Sequence, residues 1–272
     1  MKKLLSLLVA FGMVAALTAC AGGADSTASE STASESTASE TTETPAEETA
    51  ETAEAGTVLT HEEYMAADVD TLVTIETYVQ AKQSWWEDKA TVYAQSPDGA
   101  YFLYDMACSE EDYEKLTPGT CIRVTGYKAE WSGEVEIMEG TFEFVEGADT
   151  FVAEPLDVTD LLGTEELVDH QNELVSFTGL TVEPSTVEGS DEEYAFLYNW
   201  DGSGTDGDDL YFNASYNGET YTFTIESYLC DNTTDVYNAV KALEVGQTID
   251  MEGFLYWYEG VNPHITSVTV AG

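Results

Sequence analysis

Basic side chains are scarce in this chain. Eight lysines and arginines stand against 53 aspartates and glutamates, a formal net charge of −45 over 272 residues. Affinity for phosphate backbones normally rests on basic contacts that release counterions, so this balance predicts that nucleic acid is not a partner. The simplest account of the acidity is solubility of an exported domain; weak attraction of divalent cations is the other. Histidine is equally sparse. His61, His170 and His264 lie far apart, none beside a nucleophile motif, and a lone histidine in a β-domain is expected at the surface or capping an end. The sequence holds no Gly-x-Ser-x-Gly, no His-Glu-x-x-His and no phosphate loop, which leaves catalysis without a signature. Carboxylates are so abundant that naming a catalytic pair carries no information. No CxxC pair or histidine cluster supports structural zinc. No segment reaches the 18 uninterrupted apolar residues that a spanning helix needs.

Cysteine is rare as well, with four in all. Beyond Cys20, the three at Cys108, Cys121 and Cys230 are an odd number, so at least one is free or pairs with another molecule. Cys108 and Cys121 flank an expected short helix and are the plausible disulfide, provided the habitat is oxidising.

What the N-terminus does contain is a leader pattern. Lys2 and Lys3 precede an apolar core from Leu4 to Leu17 of about 14 residues, too short for a bilayer of about 30 Å. It ends in Leu17-Thr18-Ala19-Cys20, which matches all four positions of a lipobox. In this stretch the chain resembles bacterial lipoproteins. The resemblance implies that residues 1–19 are a signal peptide, that Cys20 carries two or three acyl chains, and that the protein is lipid-anchored on the extracytoplasmic face of the cell membrane. Two or more chains hold stably where one is marginal.

Residues 20–56 are mostly Ala, Gly, Ser, Thr and Glu, with Ser-Thr-Ala-Ser-Glu repeated from Ser26, Ser31 and Ser36. Nothing in them can be buried to offset ordering entropy, which predicts a disordered tether with a mean reach of roughly 30–36 Å.

About 215 residues remain, enough for two domains, and they contain a duplication. Leu116-x-x-Gly119-x-x-Ile122-x-Val124-x-Gly126 precedes Tyr127, Trp131 and Gly133. Leu243-x-x-Gly246-x-x-Ile249-x-Met251-x-Gly253 precedes Phe254, Trp257 and Gly260. In the first copy, Val73, Ile75, Thr77 and Val79 alternate with polar neighbours as a half-buried strand. Residues 90–94 and 100–106 form a hairpin about Pro97-Asp98-Gly99, and Ser109 caps a short helix reaching Lys115. Ile122 and Val124 lie on strand four, Val135 and Ile137 on strand five, and a further extended run covers 141–145. Thr60-His61-Glu62-Glu63 is a capping box whose helix places Tyr64 and Met65 over one barrel end; Leu161, Leu162, Leu167 and Val168 are expected to do the same for the second copy.

Five strands with one helix between the third and fourth is the order of an OB-fold barrel. The repeated motif also resembles the helix-to-strand-four passage of OB-fold proteins. The expected fold is therefore all-β with short helices: two tandem five-stranded OB-like barrels, at 57–149 and 150–272. A pair of small β-sandwiches is the alternative. In the second copy the run from Trp200 to Asp209 reads as an insertion between strands two and three.

Aromatic side chains are the candidate ligand contacts. Trp85 and Trp86 are adjacent in the loop after strand one, so one ring must face outward. Tyr78, on the outward parity of strand one, and Trp131, at the turn between strands four and five, are expected on the same side. Tyr256, Trp257, Tyr258 and Trp200 form the matching set in copy two. Such rings stack on sugars or bases, or else plug the barrel ends. Asp201, Ser203, Asp206, Asp208 and Asp209 alternate like calcium ligands, but Asp206 stands where an EF-hand wants glycine and Phe212 where it wants glutamate. A Gly-Asp hairpin loop is the simpler account, and calcium is the only cofactor with any support.

The composite expectation is a lipid-anchored surface protein that binds or scaffolds without catalysis, contacting a glycan or peptide through loop aromatics. An extracellular polymer hydrolase and a subunit of a surface protein complex are the alternatives.

Overall fold

The structure, a computed structural model, describes residues 56–271. The leader, Cys20 and the tether to residue 55 lie outside the described residues.

The first domain is a closed barrel of five strands, β1 (Leu72–Lys82), β2 (Lys89–Ser96), β3 (Gly99–Ala107), β4 (Cys121–Trp131) and β5 (Glu134–Phe144), in the order β1-β2-β3-β5-β4. The alternation read from the sequence is the alternation observed: Val73, Ile75, Thr77 and Val79 are all buried on β1. Helix α1 (His61–Ala66) carries the full capping box on Thr60 and Glu63. Its Tyr64 enters the barrel core, whereas Met65 points to solvent. Helix α2 (Glu110–Lys115), capped by Ser109, joins β3 to β4. The run 141–145 is not a separate element. Residues 141–144 complete β5, which stays paired with β4 as far as Ile122↔Phe144.

The second domain repeats the plan with β6 (Leu174–Glu183), β7 (Leu210–Tyr216), β8 (Glu219–Ile225), helix α3 (Asp235–Lys241), β9 (Thr248–Phe254) and β10 (His264–Val270). Pairing of β7 with β6 closes the five strands into a ring, β6-β7-β8-β10-β9, the same order as in the first barrel. Both barrels are completed by a parallel pairing of strands three and five, at Phe102↔Glu136 in one and Thr224↔His264 in the other. These are two tandem OB-like barrels, which sets aside the sandwich alternative. The insertion is displaced by one strand from its expected place: residues 184–209 lie between the first and second strands of the second barrel. Before it, Leu162 and Leu167 are buried beneath short 3-10 turns and Val168 is exposed.

The repeated motif has one physical content in both barrels. Leu116 and Leu243 fill the core below the helix. Gly119 and Gly246 both hold φ +88, and their amides donate at 2.8 Å to the carbonyls of Val79 and Val182 on strand one. A positive φ costs most side chains energy but not glycine. At Gly126 and Gly253 the constraint is space: a Cβ there would sit 2.6 Å from Ile137 Cγ2 and 2.3 Å from His264 O respectively.

The barrels are docked through an aromatic cluster of Tyr93, Phe102, Phe254 and Tyr256. Tyr93 stacks on Phe254 at 4.6 Å between ring centroids, and Phe102 meets Tyr256 edge-on at 5.1 Å. Polar contacts flank it: Leu174 N donates to Gln95 Oε1 at 2.9 Å, Gln171 Nε2 to Gly133 O at 2.8 Å and Glu259 N to Ser132 O at 2.7 Å. Val135 is only half-buried on β5, while Glu134 and Glu136, on the outer face, are buried because the second barrel covers them.

Candidate functional site

Where the loops of the first barrel meet the flank of the second, a cleft of about 730 Å³ opens between them. The loop between β1 and β2 contributes Gln83, Ser84 and Trp86; the turn between β4 and β5 contributes Trp131. Glu226, Tyr228, Tyr256 and His264 come from the second barrel. Ser84 fixes the rim, its amide donating at 2.7 Å to the Tyr228 carbonyl. Four exposed rings line the cleft: Trp86, 66% exposed, Tyr228, 61%, Trp131, 52%, and Tyr104, 39%. Phe102 and Tyr256 close the base.

Charge in the cleft is acidic. Burial holds the Glu136 carboxyl up at about 7, with Asp105 adding repulsion. Burial likewise holds Glu226 at about 7, against the amides of Tyr228 and Leu229 that donate to it at 3.1 and 2.8 Å. Lys89 at the edge is committed to Asp105 at 2.9 Å. His264 is fully enclosed and burial drives its pKa down to about 3, so the imidazole is neutral. The expectation that this histidine is a surface or capping residue is corrected: it stacks on Tyr256 at 4.2 Å within the docked interface.

Of the eight aromatic candidates, the structure brings Trp86, Trp131 and Tyr256 into this cleft. Tyr258 and Trp200 line a neighbouring hollow of about 440 Å³ on the second barrel, with Asn213, Thr222 and Asn262. Trp131 of the cleft and Tyr258 of this hollow are in contact, their ring centroids 5.0 Å apart. The other three are structural. Trp85 turns inward and its Nε1–H donates to the Cys108 carbonyl at 2.9 Å. Trp257 packs on Gly133, where even a Cβ would approach to 2.9 Å. Tyr78 is not on the side of Trp131; its ring packs on Phe151 at 5.5 Å, next to Cys121.

The disulfide expectation is also corrected. Cys108 and Cys121 are free and buried, as is Cys230. Cys108 Sγ hydrogen-bonds the Ser109 carbonyl at 3.4 Å, while Cys121 lies beside Tyr78 at the start of β4, so the two thiols are engaged separately. Burial pushes the thiols of Cys108 and Cys230 up to about 11.

The aspartates of the 201–209 loop serve local bonds. Asp201 accepts from Ser203 N at 2.9 Å, Asp208 from Thr205 N at 2.8 Å and Asp209 from Ser227 N at 2.8 Å, while Asp206 pairs with Lys241. Ser203 contributes its amide rather than its hydroxyl. Among the described residues, no three His, Cys, Asp or Glu side chains converge as a metal site.

Sequence reasoning missed Glu136, Glu226, Tyr228 and Tyr104. The parity of β5 marks Glu136 as outward, and only the second barrel makes that outward face a cleft wall.

No protein-family model matches the chain, and no curated protein does. Solved structures do match, at low identity. The Ifi202 HINa domain in complex with double-stranded DNA is 13% identical, with 73% of this chain and 94% of that one covered and a TM-score of 0.32. A murine DNA-binding protein bound to double-stranded DNA is 11% identical, with coverage of 73% and 96% and a TM-score of 0.34. A replication protein A heterotrimer bound to single-stranded DNA is 12% identical, with coverage of 74% and 49% and a TM-score of 0.30. The likeness is one of fold, and what those proteins bind is a property of those proteins. One expectation is corrected: DNA complexes are among the solved structures that match, against the expectation that nucleic acid is not a partner.

Proposed function

We propose that this tandem OB-fold protein is a non-catalytic binding protein, held at the outer face of a cell membrane through Cys20, whose inter-barrel cleft takes an extended glycan. The observation that carries the reading is the set of exposed rings on the cleft, Trp86, Tyr228 and Trp131, with Trp131 in contact with Tyr258 of the neighbouring hollow that Trp200 also lines. Sugar faces stack on such exposed rings. The side chains of Gln83 and Ser84, and of Asn213 and Asn262 beyond, suit sugar hydroxyls.

Glu136 and Glu226 in one cleft are the observation favouring a hydrolase as the second reading. General acid–base work needs two groups whose environments push their pKa values apart. Burial raises both of these alike, which favours binding.

The test is a thermal-melting screen of the purified chain against cell-wall glycans, peptides and single-stranded DNA. A concentration-dependent upward shift with a glycan is expected. A response to DNA or peptide alone contradicts the reading, and release of shortened glycan moves it to the hydrolase. For the anchor, Cys20→Ser is expected to move the protein from the membrane fraction to the medium; retention on the membrane contradicts it.

A further inference from the structure

Glu136 has no explanation within the fold. Its side chain is buried, at 4% exposure, yet it lines the inter-barrel cleft. Among the described residues no donor lies within hydrogen-bond distance of its carboxylate; its environment consists of burial and the like charge of Asp105. A largely buried carboxylate without a protein donor is costly, and a donor entering the cleft relieves that cost. The nearby lysine, Lys89, donates to Asp105 at 2.9 Å and not to Glu136. The second barrel presents Glu226 to the same space, its oxygens each accepting a single backbone amide and so keeping lone pairs for a ligand.

The surrounding rings point to the same chemistry. Trp86, Tyr104, Trp131 and Tyr228 line the cleft with Glu136 and Glu226. Aromatic faces carry negative electrostatic potential and attract cations, more strongly when these are desolvated. A neutral amide brings one N–H and no charge. An ammonium brings three donors and a full positive charge, enough for both carboxylates and a ring face.

Resting on the glycan reading, we propose that the cleft selects glycans carrying free amino groups, with Glu136 and Glu226 as the partners of the ligand's ammonium. Held near 7, the two carboxyls are partly protonated before binding. An ammonium beside either carboxylate favours its charged form, so binding releases protons near neutral pH.

The test compares glucosamine oligosaccharides with N-acetylated oligosaccharides of the same length by calorimetric titration of the full chain, at about pH 6 where the sugar amine is charged. The free-amine oligomer is expected to bind about tenfold more tightly. The preference is expected to vanish in Glu136→Gln, which keeps the side-chain shape and cannot ionise. It is expected to persist in Glu139→Gln, whose parent residue is exposed further along β5 and which therefore controls for general attraction to an acidic protein. Equal affinity for the two oligomers, or a preference that survives Glu136→Gln, overturns the proposal and leaves glycan binding standing. Failure of the wild-type chain to bind either oligomer overturns the glycan reading, and the proposal with it.

Discussion

Tyr93 Oη lies 2.6 Å from His264 Nδ1, a fully buried hydrogen bond between a strand of one barrel and a strand of the other. Gln83 Nε2 donates to the same hydroxyl at 3.4 Å, which directs the phenol proton toward the imidazole. Tyr93→Phe leaves the ring stacking intact and orphans a buried nitrogen. The expected loss is about 1–3 kcal/mol in denaturant unfolding, and an unchanged midpoint contradicts the role assigned to this bond. Because His264 is held near 3 against an ordinary 6.5, the folded state resists its protonation. The stability it confers is complete above about 6.5 and is lost as pH falls toward about 3.

Glu134 acts in the opposite sense. It is enclosed between the barrels, where Oε2 accepts from Trp257 N at 2.9 Å, and among the described residues neither its Oε1 nor Asn172 Oδ1 has a partner. Burial raises its pKa from 4.5 to about 8. The folded state therefore holds the proton longer than the unfolded chain does, so this contribution is complete below about 4.5 and falls as pH rises to about 8. Glu134→Gln is expected to flatten the decline of melting temperature over that window. The same slope in the variant rejects the assignment.

The adjacent tryptophans separate structure from binding. Trp85→Ala removes an inward ring and the hydrogen bond to Cys108 O, and is expected to lose about 2–3 kcal/mol of stability. Trp86→Ala is expected to melt within a few degrees of wild type and to bind glycan about tenfold more weakly, as a lost stacking contact implies. The reverse pattern contradicts the site.

Gly253→Ala brings a Cβ to 2.3 Å from the backbone oxygen of His264, and neither backbone can yield without opening the β9–β10 pairing. Failure to accumulate as folded protein is expected in a soluble-expression assay, whereas Gly218→Ala, with open space around it, is expected to accumulate and to show only the modest cost of a positive φ.

Reductant is expected to leave the melting temperature unchanged, since all three described thiols are free. A drop of several degrees would restore the disulfide.

The barrels were legible because their code is local. Alternation on β1, the Ser109 cap and the Leu-x-x-Gly-x-x-Ile spacing each report on neighbours a few residues away, and each sits where the pattern puts it. The displaced insertion shows the limit. Residues 197–198 have strand character and do pair with the start of β7, at Leu197↔Tyr211, so only the ring closure identifies Leu210–Tyr216 as strand two. The cleft was half legible. Adjacent Trp85 and Trp86 announce that one ring is outward without saying which. Glu136 reads as a solvent-facing strand residue, and its burial depends on a surface more than 80 positions further along the chain. His264 reads as a surface or capping residue for the same reason: its environment is supplied by Tyr93 of the other barrel.

The most direct test follows the five indole N–H signals of the chain by NMR, assigned through single tryptophan substitutions, while an oligosaccharide is added. A ligand in the inter-barrel cleft is expected to move the Trp86 and Trp131 signals and leave that of Trp85 in place, because its N–H is held by Cys108 O. No movement at Trp86 and Trp131 under saturating glycan, or movement centred on Trp85, contradicts the cleft as the binding site.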